Sequence, residues 1–312
     1  MKAVRIHQFG GPDVLQVEDM PMPEPGPEEV RIQVMAAGVN PVDWKIREGM
    51  RGMQLPLTMG ADVAGVVDMV GPGVDMFHLG DRVFGRAMPE YGGYTEYTIA
   101  KANQVAFMPK SLDFVHAAAI PVAGITAWQA LFDQAGLQAG QKVLIHGAAG
   151  GVGSFAVQFA KWKGATVYGT ATGKHVDYVK SLGADVVIDY KTQRFEDVAH
   201  DMDMVLDTIG GDTFERSWGV LKPGGILVSL VHPIPEGEAE AHGVRAKIFR
   251  ADVNSRELAE IARLIDEGRV KVEVTTVLPL TDARKAQEMS ESGHAHGKIV
   301  LSVGEEQARK AA

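Results

Sequence analysis

Four glycines fall within seven residues at Gly147-Ala148-Ala149-Gly150-Gly151-Val152-Gly153. A turn of this kind can bind an anion if it opens a helix. The first N–H groups of a helix have no partner within it and carry partial positive charge, and glycine leaves a pyrophosphate room to approach them. In the register G-x-G-x-x-G the last two glycines are Gly150 and Gly153, while Ala148 takes the first place. A glycine turn that binds nothing could carry the same letters, so the flanking elements have to decide.

They spell a strand, a turn and a helix. Val143, Leu144 and Ile145 form a short apolar run of strand type, and Val152, Ala156, Val157 and Ala160 recur at helical spacing. A second run of β type, Ala165 to Thr170, follows at the distance of one crossover helix. The complete βαβ unit predicts a dinucleotide site on the helix N-terminus.

Gly140-Gln141-Lys142-Val143-Leu144, then Ala148 to Gly153, then Gln158 and Lys161 resemble the signature of the quinone oxidoreductases and zeta-crystallins, the zinc-free branch of the medium-chain dehydrogenase/reductase superfamily. The likeness runs from the opening strand to Gly297-Lys298-Ile299-Val300-Leu301. It implies an α/β chain of two parts. A GroES-like, β-rich catalytic domain would be discontinuous, built from residues 1–122 and 266–312. A Rossmann domain with a doubly wound parallel sheet, residues 123–265, would bind NADP(H).

The rest of the chain is consistent with that reading. At 312 residues, 46% hydrophobic and 23% charged, it has room for two cores. No apolar run approaches the ~18 residues of a membrane span, and the opening Met1-Lys2-Ala3-Val4-Arg5-Ile6-His7 alternates like a strand and lacks the apolar core of a secretion signal. A formal charge of −9 speaks against nucleic acid, and zero cysteines exclude disulfides and thiol nucleophiles. A cytoplasmic protein with neither a nucleic-acid nor a membrane partner is expected.

Residues 1 to about 120 read as short strands, with Pro21 to Pro27 as an exposed connector. Six strands are expected at Val143–Ile145, Thr166–Thr170, Val186–Ile188, Met204–Asp207, Ile226–Leu230 and Val244–Phe249, with helical patterns between most of them. Leu258, Ile261, Ala262 and Ile265 mark an amphipathic helix. The tail returns to strands at Val272–Val277 and Ile299–Val303, which by resemblance rejoin the first domain, and Glu305 to Ala312 reads as a polar end.

The first domain lacks metal donors where zinc-dependent relatives have them. Asn40 stands in place of the first cysteine ligand, Ala61 in place of the histidine, Pro121-Val122-Ala123-Gly124 offers no third donor, and no cysteine lies between Asp81 and Lys101. Without a Lewis acid a simple ketone is a hard substrate. A quinone or enone is easier, because it spreads the charge of an incoming hydride onto a distant oxygen that hydrogen-bond donors can stabilise.

The resemblance places Asn40 to Lys45 against the nicotinamide and substrate. Asn40 and Tyr91 are the expected polar groups; the alternatives are a turn residue before proline and a packing group beside two glycines. Trp44 stands where relatives often carry a tyrosine, and with Met50 and His232 it is expected to line the substrate pocket. His232 beside Pro233 also reads as an ordinary loop residue, and His294 and His296 lack a third ligand. The expected cofactor set is Asn40, Thr126, Ala149, Gly150, Gly151, Val152, Gly153, Thr172, Lys174, Tyr190, Leu230 and Phe249. Thr126 could equally cap a helix, and Lys174 could be a solvated helix-start residue. No carboxylate follows the second strand where NAD-selective folds place one, so Thr172, Lys174 and Tyr190 suit the 2′-phosphate of NADPH.

The expected activity is metal-independent reduction of quinones, or of the C=C bond of unsaturated carbonyls, by hydride from NADPH. A zinc-free carbonyl reductase and a non-catalytic, crystallin-like NADPH binder remain alternatives. By resemblance a homodimer would form through the last strand of the nucleotide domain.

Overall fold

A computed structural model describes residues 1–50, 52–293 and 296–304; His294 and the polar end from Glu305 lie outside them. The chain divides into two compact units, one of residues 1–123, 253–268 and 272–304, the other of Gly124–Asp252 and Arg269–Lys271.

The first unit is β-rich. Its strands are β1 (Lys2–Ile6), β2 (Gln16–Asp19), β3 (Glu29–Val39), β4 (Leu57–Thr58), β5 (Asp62–Val70), β6 (Arg82–Arg86), β7 (Tyr97–Lys101) and β8 (Val105–Phe107). No strand occupies the proline run between β2 and β3. The alternating β3 is the hub: it pairs antiparallel with β5 and with β7, and its inward residues Val30, Ile32 and Val34 pack with Val63 and Val67 in one core. Gly65 on β5 is required for this pairing, because a Cβ there would fall 2.0 Å from the Gln33 carbonyl oxygen.

The second unit holds β9 (Lys142–Ile145), β10 (Thr166–Ala171), β11 (Val186–Asp189), β12 (Met202–Asp207), β13 (Leu221–Ser229) and β14 (Arg245–Ile248). All pairs are parallel, in the order β11-β10-β9-β12-β13-β14. The order reverses between β9 and β12, and open sheets of this kind bind ligands beyond the carboxyl ends of the strands at such a reversal. The turn Gly147 to Gly153 lies there, directly after β9.

The tail supplies β15 (Val274–Pro279) and β16 (Lys298–Ser302); β16 pairs antiparallel with β3, so the chain's last strand belongs to the first unit's sheet. The helix Ser255–Asp266 also belongs to that unit, which corrects the expected boundary at residue 265. Asp266, its last residue, accepts the backbone N–H groups of Lys110 and Ser111 at 3.1 and 3.0 Å, and these contacts over 150 residues of sequence could not be read from the helix's own pattern.

Candidate functional site

In the second unit the helix Gly151–Trp162 follows Gly150, which occupies the N-cap with no side-chain hydrogen bond to the helix's first N–H groups. The turn tolerates little beyond glycine. Gly147 has φ +67°, and a Cβ on Gly153 would meet the Gly147 carbonyl oxygen at 2.2 Å. The sharp turn is therefore made by Gly147. Ala148, placed first in the motif by spacing, is instead packed at 0% exposure under the sheet. Ala149, Gly150, Gly151, Val152 and Gly153 line the helix start together, and this cradle fits a pyrophosphate.

The ends of β10 and β11 meet beside it, where the Tyr190 N–H donates to the Ala171 carbonyl at 3.2 Å. Thr172 holds a buried hydroxyl with no protein partner. Lys174 is exposed on the next short turn, and Tyr190 is 52% exposed. Two neighbours escaped the sequence reading. The Lys191 ammonium lies 5.6 Å from the Tyr190 ring centre, and an Asp189 carboxylate oxygen lies 2.8 Å from where a Gly173 Cβ would stand. Lys174 and Lys191 bring ammonium groups to the loops after β10 and β11, and the orphaned Thr172 hydroxyl is a ready hydrogen-bonding group there, so the residues present fit a dinucleotide with an added phosphate.

Leu230 follows β13, with its N–H on the Asp207 carbonyl at 3.0 Å, and Phe249 follows β14. Thr126 lies inside the helix Pro121–Trp128 and is not its cap. His232, on the loop after β13, stacks its ring on Phe214 of the helix Gly211–Ser217 with ring centres 4.3 Å apart.

In the first unit Asn40 precedes the helix Pro41–Arg47, which carries Trp44; Met50 follows that helix and is 46% exposed. Asn40 itself is 3% exposed. Its Nδ2 donates to Asp62 at 2.9 Å, and its Oδ1 accepts from the Lys298 ammonium, which also donates to the Val39 carbonyl at 3.0 Å. Asp43 accepts the Asn40 N–H and the Tyr94 hydroxyl, each at 2.8 Å. The first role the structure gives Asn40 is thus to join β3, β5 and β16, and the tyrosine that reaches its cluster is Tyr94. Tyr91 lies half-buried on the preceding turn.

Burial dominates the electrostatics of this cluster. Desolvation raises the Asp43 carboxyl to about 6 against the pull of its hydrogen bonds from Asn40 and Tyr94, and it raises Asp62 despite the neighbouring Lys298. It lowers the Lys298 ammonium and pushes the Tyr94 phenol well up, so Tyr94 stays a proton donor. Asp62 and Lys298 were missed because their meeting depends on β16 and β5 both flanking β3. A lysine opening the apolar run of β16 was the only local signal.

Residues 26–110 match the family model of the alcohol dehydrogenase GroES-like domain, and residues 182–301 that of a zinc-binding dehydrogenase. A 2-methylene-furan-3-one reductase of Solanum lycopersicum is 35% identical over 96% of this chain and 79% of its own. A quinone oxidoreductase of Sus scrofa is 35% identical over 96% and 97%. The chain belongs to the medium-chain dehydrogenase/reductase family, in its quinone oxidoreductase group, and is an oxidoreductase. The solved Escherichia coli quinone oxidoreductase complexed with NADPH superposes with a TM-score of 0.88 at 30% identity, covering 97% of this chain and all of its own.

Zinc is named by one of the matched models. Among the described residues no group of three His, Cys, Asp or Glu side chains could hold a metal ion, and the side chain beside Asn40 is the ammonium of Lys298, itself a cation. Nor is any helix of the described residues long and apolar enough to cross a membrane.

Proposed function

We propose that this member reduces quinones or the C=C bond of enones with NADPH and without a metal. The observation that carries the reading is the glycine cradle flanked by Thr172, with its orphaned buried hydroxyl, and by Lys174 and Tyr190. NADPH bound there would supply a hydride to the conjugated system. The helix start at Gly150 to Gly153 holds the pyrophosphate, and Thr172, Lys174 and Tyr190 hold the 2′-phosphate. Thr126, Leu230 and Phe249 pack along the cofactor, while Trp44 and Met50 in the first unit and His232 in the second are the residues we assign to contact with a flat substrate. The second N–H of the Asn40 amide and the Tyr91 hydroxyl are the donors we assign to the substrate's carbonyl oxygen, where negative charge develops.

Three results test this reading. Lys174→Ala should raise the NADPH dissociation constant roughly tenfold to a hundredfold, the equivalent of one charge-assisted hydrogen bond, and leave NADH within about twofold. The NADPH effect should shrink at high salt. Equal weakening of both cofactors would remove the assignment. Prolonged treatment with a strong chelator should leave turnover unchanged; loss that zinc restores would overturn metal independence. Finally, β14 ends the parallel sheet with Ile248 49% exposed, an edge that a second copy could cover by strand addition. Light scattering should then give about twice the 33.5 kDa chain mass, and the single-chain mass would contradict it.

A further inference from the structure

Asn40 follows β3, and the first residue of each strand flanking that end of β3 binds its side chain: Asp62 opens β5 and Lys298 opens β16. The approach is close. Gly38 stands opposite Asp62, and a Cβ on it would fall 3.0 Å from the Asp62 Cβ and 2.3 Å from the Ala118 carbonyl oxygen. Asn40, Asp62 and Lys298 are each 4% exposed or less, so their polar atoms must satisfy one another and not water.

A carboxamide can bond through either end, and here its two neighbours decide which. Both oxygens of Asp62 accept N–H groups, one from Val122 at 3.0 Å and the other from the Asn40 Nδ2 at 2.9 Å, as a carboxylate's do. The Lys298 ammonium donates to the Val39 carbonyl at 3.0 Å and to the Asn40 Oδ1. Burial lowers the affinity of this lysine for its proton, while the charges of Asp62 and Asp43 favour the ammonium form, and both of its partners are acceptors. An acceptor at one end and a donor at the other leave the Asn40 amide a single orientation.

The cation does more than fix the orientation. An ammonium on Oδ1 draws electron density from the amide nitrogen, so each Nδ2 hydrogen becomes more positive and any bond it donates to a forming anion strengthens. A side chain without charge would fill the same buried place without the cost of desolvating an ammonium.

We propose that Lys298 is a positioning residue for the reduction, turning the Asn40 amide so that its second N–H meets the substrate's carbonyl oxygen and polarising that N–H as negative charge develops there. Lys298 touches no substrate atom and acts through Asn40. The proposal rests on the reading of Asn40 as a donor to the substrate.

Pre-steady-state oxidation of enzyme-bound NADPH by a saturating α,β-unsaturated ketone reads the hydride step per folded molecule, whatever a variant does to stability. Lys298→Met should slow this step roughly tenfold or more and leave the NADPH dissociation constant within about threefold. Asn40→Ala should slow it at least as much. Adding Lys298→Met to Asn40→Ala should then cost less than about threefold further, because the cation has no amide left to act through. Lys298→Met leaves Asp62 buried without its counter-charge; if that variant does not fold, Lys298→Met combined with Asp62→Asn removes both charges and should still be slow. Losses that multiply in the Asn40→Ala background, or the parent's rate in either Lys298 variant, would overturn the proposal. The parent's rate in Asn40→Ala would instead refute the assignment of Asn40 on which it rests.

Discussion

Gly153→Ala is expected to abolish measurable NADPH binding and to destabilise the second unit by about 3 kcal/mol or more. A single methyl is enough because what it meets is backbone. The new Cβ would lie 2.2 Å from the Gly147 carbonyl oxygen and 2.8 Å from the Ala148 Cα, and no side chain can rotate away to relieve either contact. Overpacking of a core ordinarily costs about 1–3 kcal/mol when side chains can adjust; here the turn itself must open or the helix must move off β9. Either movement scatters the N–H groups that form the cradle. Gly150→Ala is the control: its Cβ would lie 3.2 Å from the same carbonyl, tight but short of a clash, so stability should change little while the methyl stands at the helix mouth. Thermal unfolding and NADPH titration of both variants test this. A Gly153→Ala protein that binds NADPH like the parent would show that the turn is not the cradle.

The second large effect is a pair of opposed pH dependences. Asp43 titrates at about 6 in the folded chain against an ordinary 3.8, chiefly because it is buried, with Asp62 nearby adding to the rise and Lys298 opposing it. The folded state therefore holds this proton more tightly than the unfolded one. Stability of the first unit should fall by about 2 kcal/mol as pH rises from 4 to 6. His146 behaves in the opposite sense. It is 0% exposed between Thr170 and Ser217, at 3.2 and 3.0 Å, and burial lowers it to about 4 from 6.5, with Asp207 and Glu196 pulling it up and Arg216 down. The unfolded state holds that proton more tightly, so the second unit should lose about 3 kcal/mol as pH falls from 6.5 to 4. Hydrogen exchange at pH 4.5 and 7, corrected for intrinsic rates, separates the two. Protection of Lys142–Ile145 should drop at the lower pH, while that of Glu29–Val39 should rise. Asp43→Asn should remove the second change and His146→Gln the first. Parallel shifts in both segments would contradict the assignment.

What could be read from the sequence was what short-range pattern determines. The six strands of the parallel sheet were placed to within a few residues at most ends, because each is an apolar run bounded by turn residues, and the glycine turn was legible because its chemistry is contained in seven consecutive letters. The buried groups were not. Lys298 and Asp62 meet across β3 from positions over 230 residues apart, and His146 was passed over because a histidine ending a strand looks the same whether it faces solvent or Ser217. Asp189 and Lys191 escaped because the reading stopped at Tyr190, while the approach of β11's end to that of β10 sets both beside it. The helix Ser255–Asp266 shows the same limit: its stripe of Leu258, Ile261, Ala262 and Ile265 announced a buried face without saying which unit would bury it.

The most direct test of the central claim follows the hydride itself. Metal-stripped protein given NADPH deuterated at the transferable C4 position and an α,β-unsaturated aldehyde should place deuterium on the carbon β to the carbonyl and leave the aldehyde intact. Conjugate addition needs only hydrogen-bond donors near the oxygen, the role proposed for Asn40 and Tyr91. Deuterium on the carbonyl carbon, giving an unsaturated alcohol, or transfer that appears only after zinc is restored, would contradict the account.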